Sequence, residues 1–366
     1  MEDDMGLTSV KLQFLVLVLA VGALVATVWL WPRLSGRGWP AVLGRVGVLA
    51  GDQLLTLVAL ALIGNSYFGF YGSWDDVLGT DTGSAPITVA GVGAGIKVLS
   101  QRAVRGGRIE QVMMPGPTTH LSEEAYIFLP SAYYTDKQAR FPAILSLTGY
   151  PGDPRNLMTR LDLPGRMASA IAKHQVKPTI LVMMRPSVVL PRDTECVDVP
   201  NGPQVQAYFA TDVRRDMIAS YRVGSGRDYW GVLGGSTGGY CALKLTMTHP
   251  DAFSAAVSLS GYYKTIIDGT TGDLFGGDKA VEQRNDLMWR LSSLPAPPVT
   301  VLVTSSKKGE SDYGSTQRFL AAVKPPMQAS SLILPSGGHN FNTWNRELPQ
   351  ALPWLAQQLH APASAA

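Results

Sequence analysis

The chain has 366 residues and carries 31 Lys+Arg against 28 Asp+Glu, a net charge of +3. That weak excess, with no basic tract interleaved with aromatics, argues against a nucleic-acid binder. Charged residues are only 16% of the chain and apolar ones 46%. The chain is therefore too apolar to be wholly water-exposed, and it is long enough for one large α/β domain plus an appendage.

The apolar surplus lies at the front. Leu12 to Trp31 holds no charge and as a helix would be about 30 Å long, enough to cross a bilayer. The run ends in Trp29, Leu30, Trp31 and Pro32. That ending fits a retained span with interfacial tryptophans rather than a cleaved signal. Val46 to Ile63 is a second candidate span, interrupted by Asp52 and Gln53. Asp52 is expected to pair with polar backbone or to snorkel. Arg33, Arg37 and Arg45 lie between or at the start of these runs, and the positive-inside rule puts that linker in the cytoplasm. Two spans then predict a multi-pass cell-membrane protein with its main domain extracytoplasmic.

Residues 1–66 are thus read as a membrane anchor and 67–106 as a connector. Ile87 to Leu99 is too short and Gly-rich for a span. Gly91, Gly93 and Gly95 lack the strand, spacing and helix of a dinucleotide loop. Residues 107–360 read as the catalytic domain and 361–366 as a disordered tail.

Within the domain, Gly107 to Pro130 predicts an antiparallel hairpin at a sheet edge. Phe141 to Thr148 and Pro178 to Arg185 predict buried strands, with a helix from Met158 to Lys173 between them. Asp212 to Tyr221 predicts a helix. Further strands are expected at 228–233, 255–260, 299–304 and 331–334, and helices at 240–249, 314–323 and 343–359. Apolar strands alternating with helices predict an α/β fold, a mostly parallel sheet covered on both faces. Its active site should lie beyond the carboxyl ends of the strands.

Gly234-Gly235-Ser236-Thr237-Gly238-Gly239 stands at such an end, between a strand and a helix. That is the context of a nucleophile elbow, in which a sharp turn lifts the serine above the sheet. Serine attacks only when a base takes its proton. His339 follows the last strand, the expected place of the base in the order Ser, acid, His. The acid should follow the strand ending near Ser305, where Glu310 and Asp312 both qualify. Glu310 is preferred because it comes first and follows a Gly; Asp312 fits the N-cap of the next helix. The oxyanion needs two backbone donors, assigned to Thr237 and Tyr150. Cys196 and Cys241 are expected to form a disulfide in an extracytoplasmic domain. No His/Cys/Asp/Glu cluster has metal-ligand spacing, and no cofactor is expected.

With these residues placed, the chain resembles the Putative esterase family, which includes esterase D and the antigen 85 mycolyltransferases. The likeness covers about Gly107 to Leu359. It rests on the hairpin, on Leu147-Thr148-Gly149-Tyr150, on the elbow and on Gly338-His339-Asn340-Phe341. Thr194 to Pro200 together with Gly238 to Cys241 resembles membrane-anchored actinobacterial members. The resemblance implies an α/β-hydrolase fold and serine acyl chemistry on a small-molecule, lipid or glycolipid ester. Hydrolysis is the first expectation. Acyl transfer to a sugar or lipid hydroxyl is the alternative, and a silent binding module is a third reading. The segment from Arg185 to Phe209 is expected to form much of the acyl or leaving-group pocket.

Overall fold

The computed structural model describes residues 9–68, 74, 77, 95–310 and 312–359. The connector reading of Gly91 and Gly93 and the reading of 361–366 as a tail lie outside these residues. The chain divides into two compact units, 1–83 and 84–366.

The first unit holds helices α1 (Val10–Leu30) and α2 (Trp39–Phe68), joined through a single-turn helix at Trp31–Leu34. Lys11–Leu34 and Trp39–Asn65 are each long and apolar enough to cross a membrane. Phe14, Val21, Val28, Leu43, Leu54 and Leu57 leave their apolar side chains exposed. Asp52 accepts a 2.5 Å hydrogen bond from Thr27 Oγ1 of α1, a side-chain partner across the helix pair rather than the expected backbone one, which supplies a partner for the buried Thr27 hydroxyl.

The second unit is built on one nine-stranded sheet of order β1-β2-β3-β5-β4-β6-β7-β8-β9. The strands are β1 (Lys97–Val104), β2 (Gly107–Pro115), β3 (Ser122–Pro130), β4 (Ala143–Leu147), β5 (Ile180–Met184), β6 (Trp230–Gly235), β7 (Ala255–Leu259), β8 (Thr300–Ser306) and β9 (Gln328–Leu334). Strands β1, β2 and β3 pair antiparallel, and β3 joins β5 antiparallel. From β5 through β9 every pairing is parallel. The expected hairpin is therefore present as β2 and β3, but it is not the edge. The end of the expected connector is β1. All but one of its residues are exposed, so no buried face produced the alternation by which strands are recognised.

The parallel strands alternate their side chains between two cores. Ala143, Leu145, Leu147, Trp230 and Val232 pack on one face with helix α5 (Thr237–Thr248). Ile144, Leu181, Leu233 and Val257 pack on the other with α3 (Leu163–Ala172) and α8 (Phe341–Gln358). The remaining helices used below are α4 (Arg214–Ser220), α6 (Leu287–Ser293) and α7 (Tyr313–Ala322). The helical stretch expected from Met158 is interrupted. Asp162 takes φ 45° and caps α3 by accepting from the Gly165 amide. Helix α6 was not foreseen; Asp286 caps it through the Met288 and Trp289 amides, both at 2.9 Å.

Candidate active site

The turn from β6 into α5 places Ser236 at φ 56° and ψ −123°, a region that L-residues avoid. The strain is held by close backbone approach. A Cβ at Gly238 would sit 2.2 Å from the Thr148 carbonyl oxygen. One at Gly149 would sit 3.1 Å from Ser236 Cβ, so the loop after β4 lies against the serine. The Ser236 amide donates to the Leu259 carbonyl at 3.0 Å, and the Ser236 carbonyl accepts from Gly239 and Tyr240. The side chain is left at the first turn of α5, where helix amides lack intrahelical acceptors.

Ser236 Oγ and His339 Nε2 are 2.8 Å apart, although 103 residues separate them in the chain. The imidazole packs edge-on against Trp344, ring centroids 5.6 Å apart. Trp344 Nε1 donates to Ser260 Oγ at 2.9 Å. Ser260 Oγ in turn donates to Glu310. Glu310 also accepts from Ser305 Oγ at 3.1 Å and from the Ser306 amide at 2.9 Å. Three donors therefore hold Glu310 at the end of β8.

Asp312 is the N-cap of α7, as expected, and its carbonyl accepts from the Thr316 amide at 3.0 Å, but its side chain makes no capping bond. Its Oδ1 is buried without a hydrogen-bond partner. Burial raises its pKa, the nearby Glu310 charge adds to the rise, and His339 opposes it. Among the described residues neither carboxylate is hydrogen-bonded to His339. Catalytic hydrogen bonds are often long before substrate binds.

Beneath Glu310 lies a further buried acid that sequence reasoning missed. Glu347 in α8 is fully buried and accepts from Thr304 Oγ1 at 2.7 Å. Burial pushes its carboxyl up to about 8. Trp344, Ser260 and Glu347 were missed for different reasons. Ser260 could have been flagged, since it ends a parallel strand on the active-site side. Trp344 and Glu347 lie on α8 and look like ordinary members of an amphipathic helix.

The Tyr150 hydroxyl donates to the Pro191 carbonyl. The segment from Arg185 to Phe209 is thus tied to the loop after β4. Its arginines are engaged within the protein: Arg185 faces Glu123 at 3.3 Å, and Arg192 donates to the Thr271 and Asp273 carbonyls. Cys196 and Cys241 are joined as a disulfide with Cα atoms 5.8 Å apart, and both are fully buried. No group of three or more potential metal ligands occurs among the described residues.

A sequence model of the Putative esterase family matches residues 122–355. An uncharacterized protein of Corynebacterium glutamicum is 24% identical over 267 residues, covering 69% of this chain and 62% of that protein. The chain thus spans less than two thirds of that relative's length. Among solved structures, an S-formylglutathione hydrolase from Agrobacterium tumefaciens superposes with a TM-score of 0.60 at 14% identity, covering 72% of this chain and 100% of that one. A ferulic acid esterase gives 0.59 at 17% identity, covering 70% and 100%. Fluorophosphonate-binding serine hydrolase F of Staphylococcus aureus gives 0.55 at 17% identity, covering 68% and 98%.

Proposed function

The chain belongs to the Putative esterase family, and from that membership we propose that it hydrolyses carboxylic esters with Ser236 as nucleophile and His339 as general base. The observation that carries this is the 2.8 Å separation of Ser236 Oγ and His339 Nε2 at a strained strand-to-helix turn. His339 takes the serine proton as Oγ attacks the ester carbonyl, then returns it to the leaving alcohol, and water resolves the acyl-enzyme by the same route. The Thr237 and Tyr150 amides hold the oxyanion. Gly149 lies close enough to Ser236 to bring the second of these loops to the reacting carbon.

The orienting acid comes from the loop after β8. Glu310 is our assignment, since three hydrogen bonds fix it at the strand end. Asp312 is the alternative, supported by its unmade side-chain cap and its unpartnered buried oxygen. The substrate is a small-molecule or lipid ester, and α1 and α2 anchor the enzyme in the cell membrane. Arginines in the 33–45 linker and the disulfide support an extracytoplasmic catalytic unit.

The test is labelling of intact cells with a fluorophosphonate probe that cannot cross the membrane, with turnover of a p-nitrophenyl ester measured on purified full-length protein. The wild type is expected to label and turn over. Ser236→Ala should lose the label and about 10⁴-fold or more of kcat. Full activity in Ser236→Ala would overturn the assignment of the nucleophile, and labelling only after lysis would overturn the sidedness. Product analysis with sugar or lipid acceptors present separates hydrolysis from acyl transfer.

A further inference from the structure

Behind the elbow is a line of oxygens that the acyl mechanism does not use. Tyr262 Oη lies 3.1 Å from Thr237 Oγ1 and 2.6 Å from Glu195 Oε1. Glu195 is only 2% exposed, and its other oxygen, Oε2, is buried with no partner. The acid is held there firmly. Its amide donates to Asp193 Oδ1 at 3.0 Å. The next residue, Cys196, is bonded to Cys241 in α5. Lys244, also in α5 and fully buried, donates from Nζ to the Glu195 and Cys196 carbonyls at 3.4 and 2.8 Å. The Tyr262 ring is stacked on Tyr240, centroids 5.1 Å apart. A carboxyl fixed this tightly, one hydroxyl away from the residue that follows Ser236, would be costly to keep as a bystander.

We infer that Glu195, acting through Tyr262, is a positioning residue for Thr237, holding the first turn of α5 so that its amide meets the oxyanion. The inference rests on the assignment of Ser236 and Thr237 above. Tyr262 has one hydroxyl hydrogen and two neighbours that can accept it. With Glu195 neutral, the acid proton is donated to Tyr262 and the Tyr262 hydrogen goes to Thr237, so the chain points toward the elbow. With Glu195 ionised, the Tyr262 hydrogen turns to the carboxylate, and the grip on Thr237 reverses. Burial pushes the Glu195 carboxyl up to about 8. Asp193 and Asp268 add to the rise, and Tyr262 and Lys244 oppose it. Burial lowers Lys244 to about 7, with Asp198 and Glu195 opposing. Burial therefore favours the neutral form of Glu195.

The test uses full-length protein in detergent, with p-nitrophenyl ester turnover as a function of pH and the rate of fluorophosphonate labelling at Ser236. Glu195→Ala and Tyr262→Phe are each expected to lower kcat about 10-fold with KM within about twofold. The lost interaction matters in the transition state and not in substrate binding. The double variant should be no worse than Tyr262→Phe alone, because both act through one chain. Glu195→Gln, which can donate to Tyr262 as the neutral acid does, should restore the pH 7 rate. It should also remove the fall in wild-type kcat as pH rises through about 8. Wild-type kcat in Tyr262→Phe, or an unchanged alkaline limb in Glu195→Gln, would overturn this inference alone. Absence of label at Ser236 in the wild type would overturn the nucleophile assignment, and this inference with it.

Discussion

The two sides of the His339 imidazole are built by different physics. On the serine side, the closest contacts are steric and covalent, with the Glu195–Tyr262–Thr237 hydrogen-bond chain behind them. Gly238 closes on the Thr148 carbonyl, Gly149 presses on Ser236, and the Cys196–Cys241 bond ties α5 to the segment before it. On the acid side, the contacts are polar and titratable. Glu310, Asp312 and Glu347 lie near one another, and serine and threonine hydroxyls hold Glu310 and Glu347. A hard elbow can keep a strained nucleophile in place through every turnover.

The largest effect that would sharpen this contrast concerns the acid. Glu310→Gln and Asp312→Asn each keep shape and remove one charge. The orienting acid is worth about 10³–10⁴-fold in kcat when replaced by its amide. Glu310→Gln is expected to show that loss, and Asp312→Asn to stay within about 10-fold. Steady-state turnover at pH 7 decides it, and the reverse order would move the role to Asp312. On the serine side, Ser236 Oγ and His339 Nε2 already lie 2.8 Å apart.

The same contrast explains what the sequence made legible. The sharp turn at Ser236, the approach of His339 to it and the disulfide were readable because each is a short motif or a fixed pair whose residues are expected at that place. The parallel core was readable from β4 to β8 because its strands carry apolar runs, whereas only the Ser331–Leu334 part of β9 was, since Gln328 to Ser331 is mostly polar and mostly exposed. Strand β1 was not, since Lys97 to Val104 buries almost nothing. The acid was narrowed to two residues but not to one. Position after a strand is a coarse criterion when two carboxylates stand two residues apart, and three-dimensional hydrogen bonding must choose. Ser260, Trp344, Glu347, Glu195 and Tyr262 act through contacts across 25 to 84 residues of sequence, which no local pattern records.

A smaller effect probes the covalent side. Cys196 and Cys241 are separated by 45 residues, so breaking their bond is expected to cost about 2–4 kcal/mol of stability. Denaturant unfolding of the full chain in detergent with and without a reductant measures it. An unchanged midpoint would mean that steric closure alone holds the elbow helix.

The smallest effect probes the polar side through pH. Glu347 has a folded-state pKa of about 8, above its ordinary value of 4.5. The folded protein therefore holds this proton where the unfolded chain has released it. Stability contributed by the neutral buried carboxyl is full below about pH 4.5 and is lost as pH climbs through about 8. Glu347→Gln keeps an acceptor for Thr304 Oγ1 but cannot ionise. It should therefore flatten that decline, gaining on the order of 2 kcal/mol relative to wild type between pH 5 and pH 8. Unfolding midpoints at the two pH values read the difference directly. The reduced and oxidised proteins should show the same Glu347-dependent slope, because the disulfide and the carboxyl stand on opposite sides of the imidazole. A slope that changed with reduction would mean that the two sides are mechanically coupled through His339 after all.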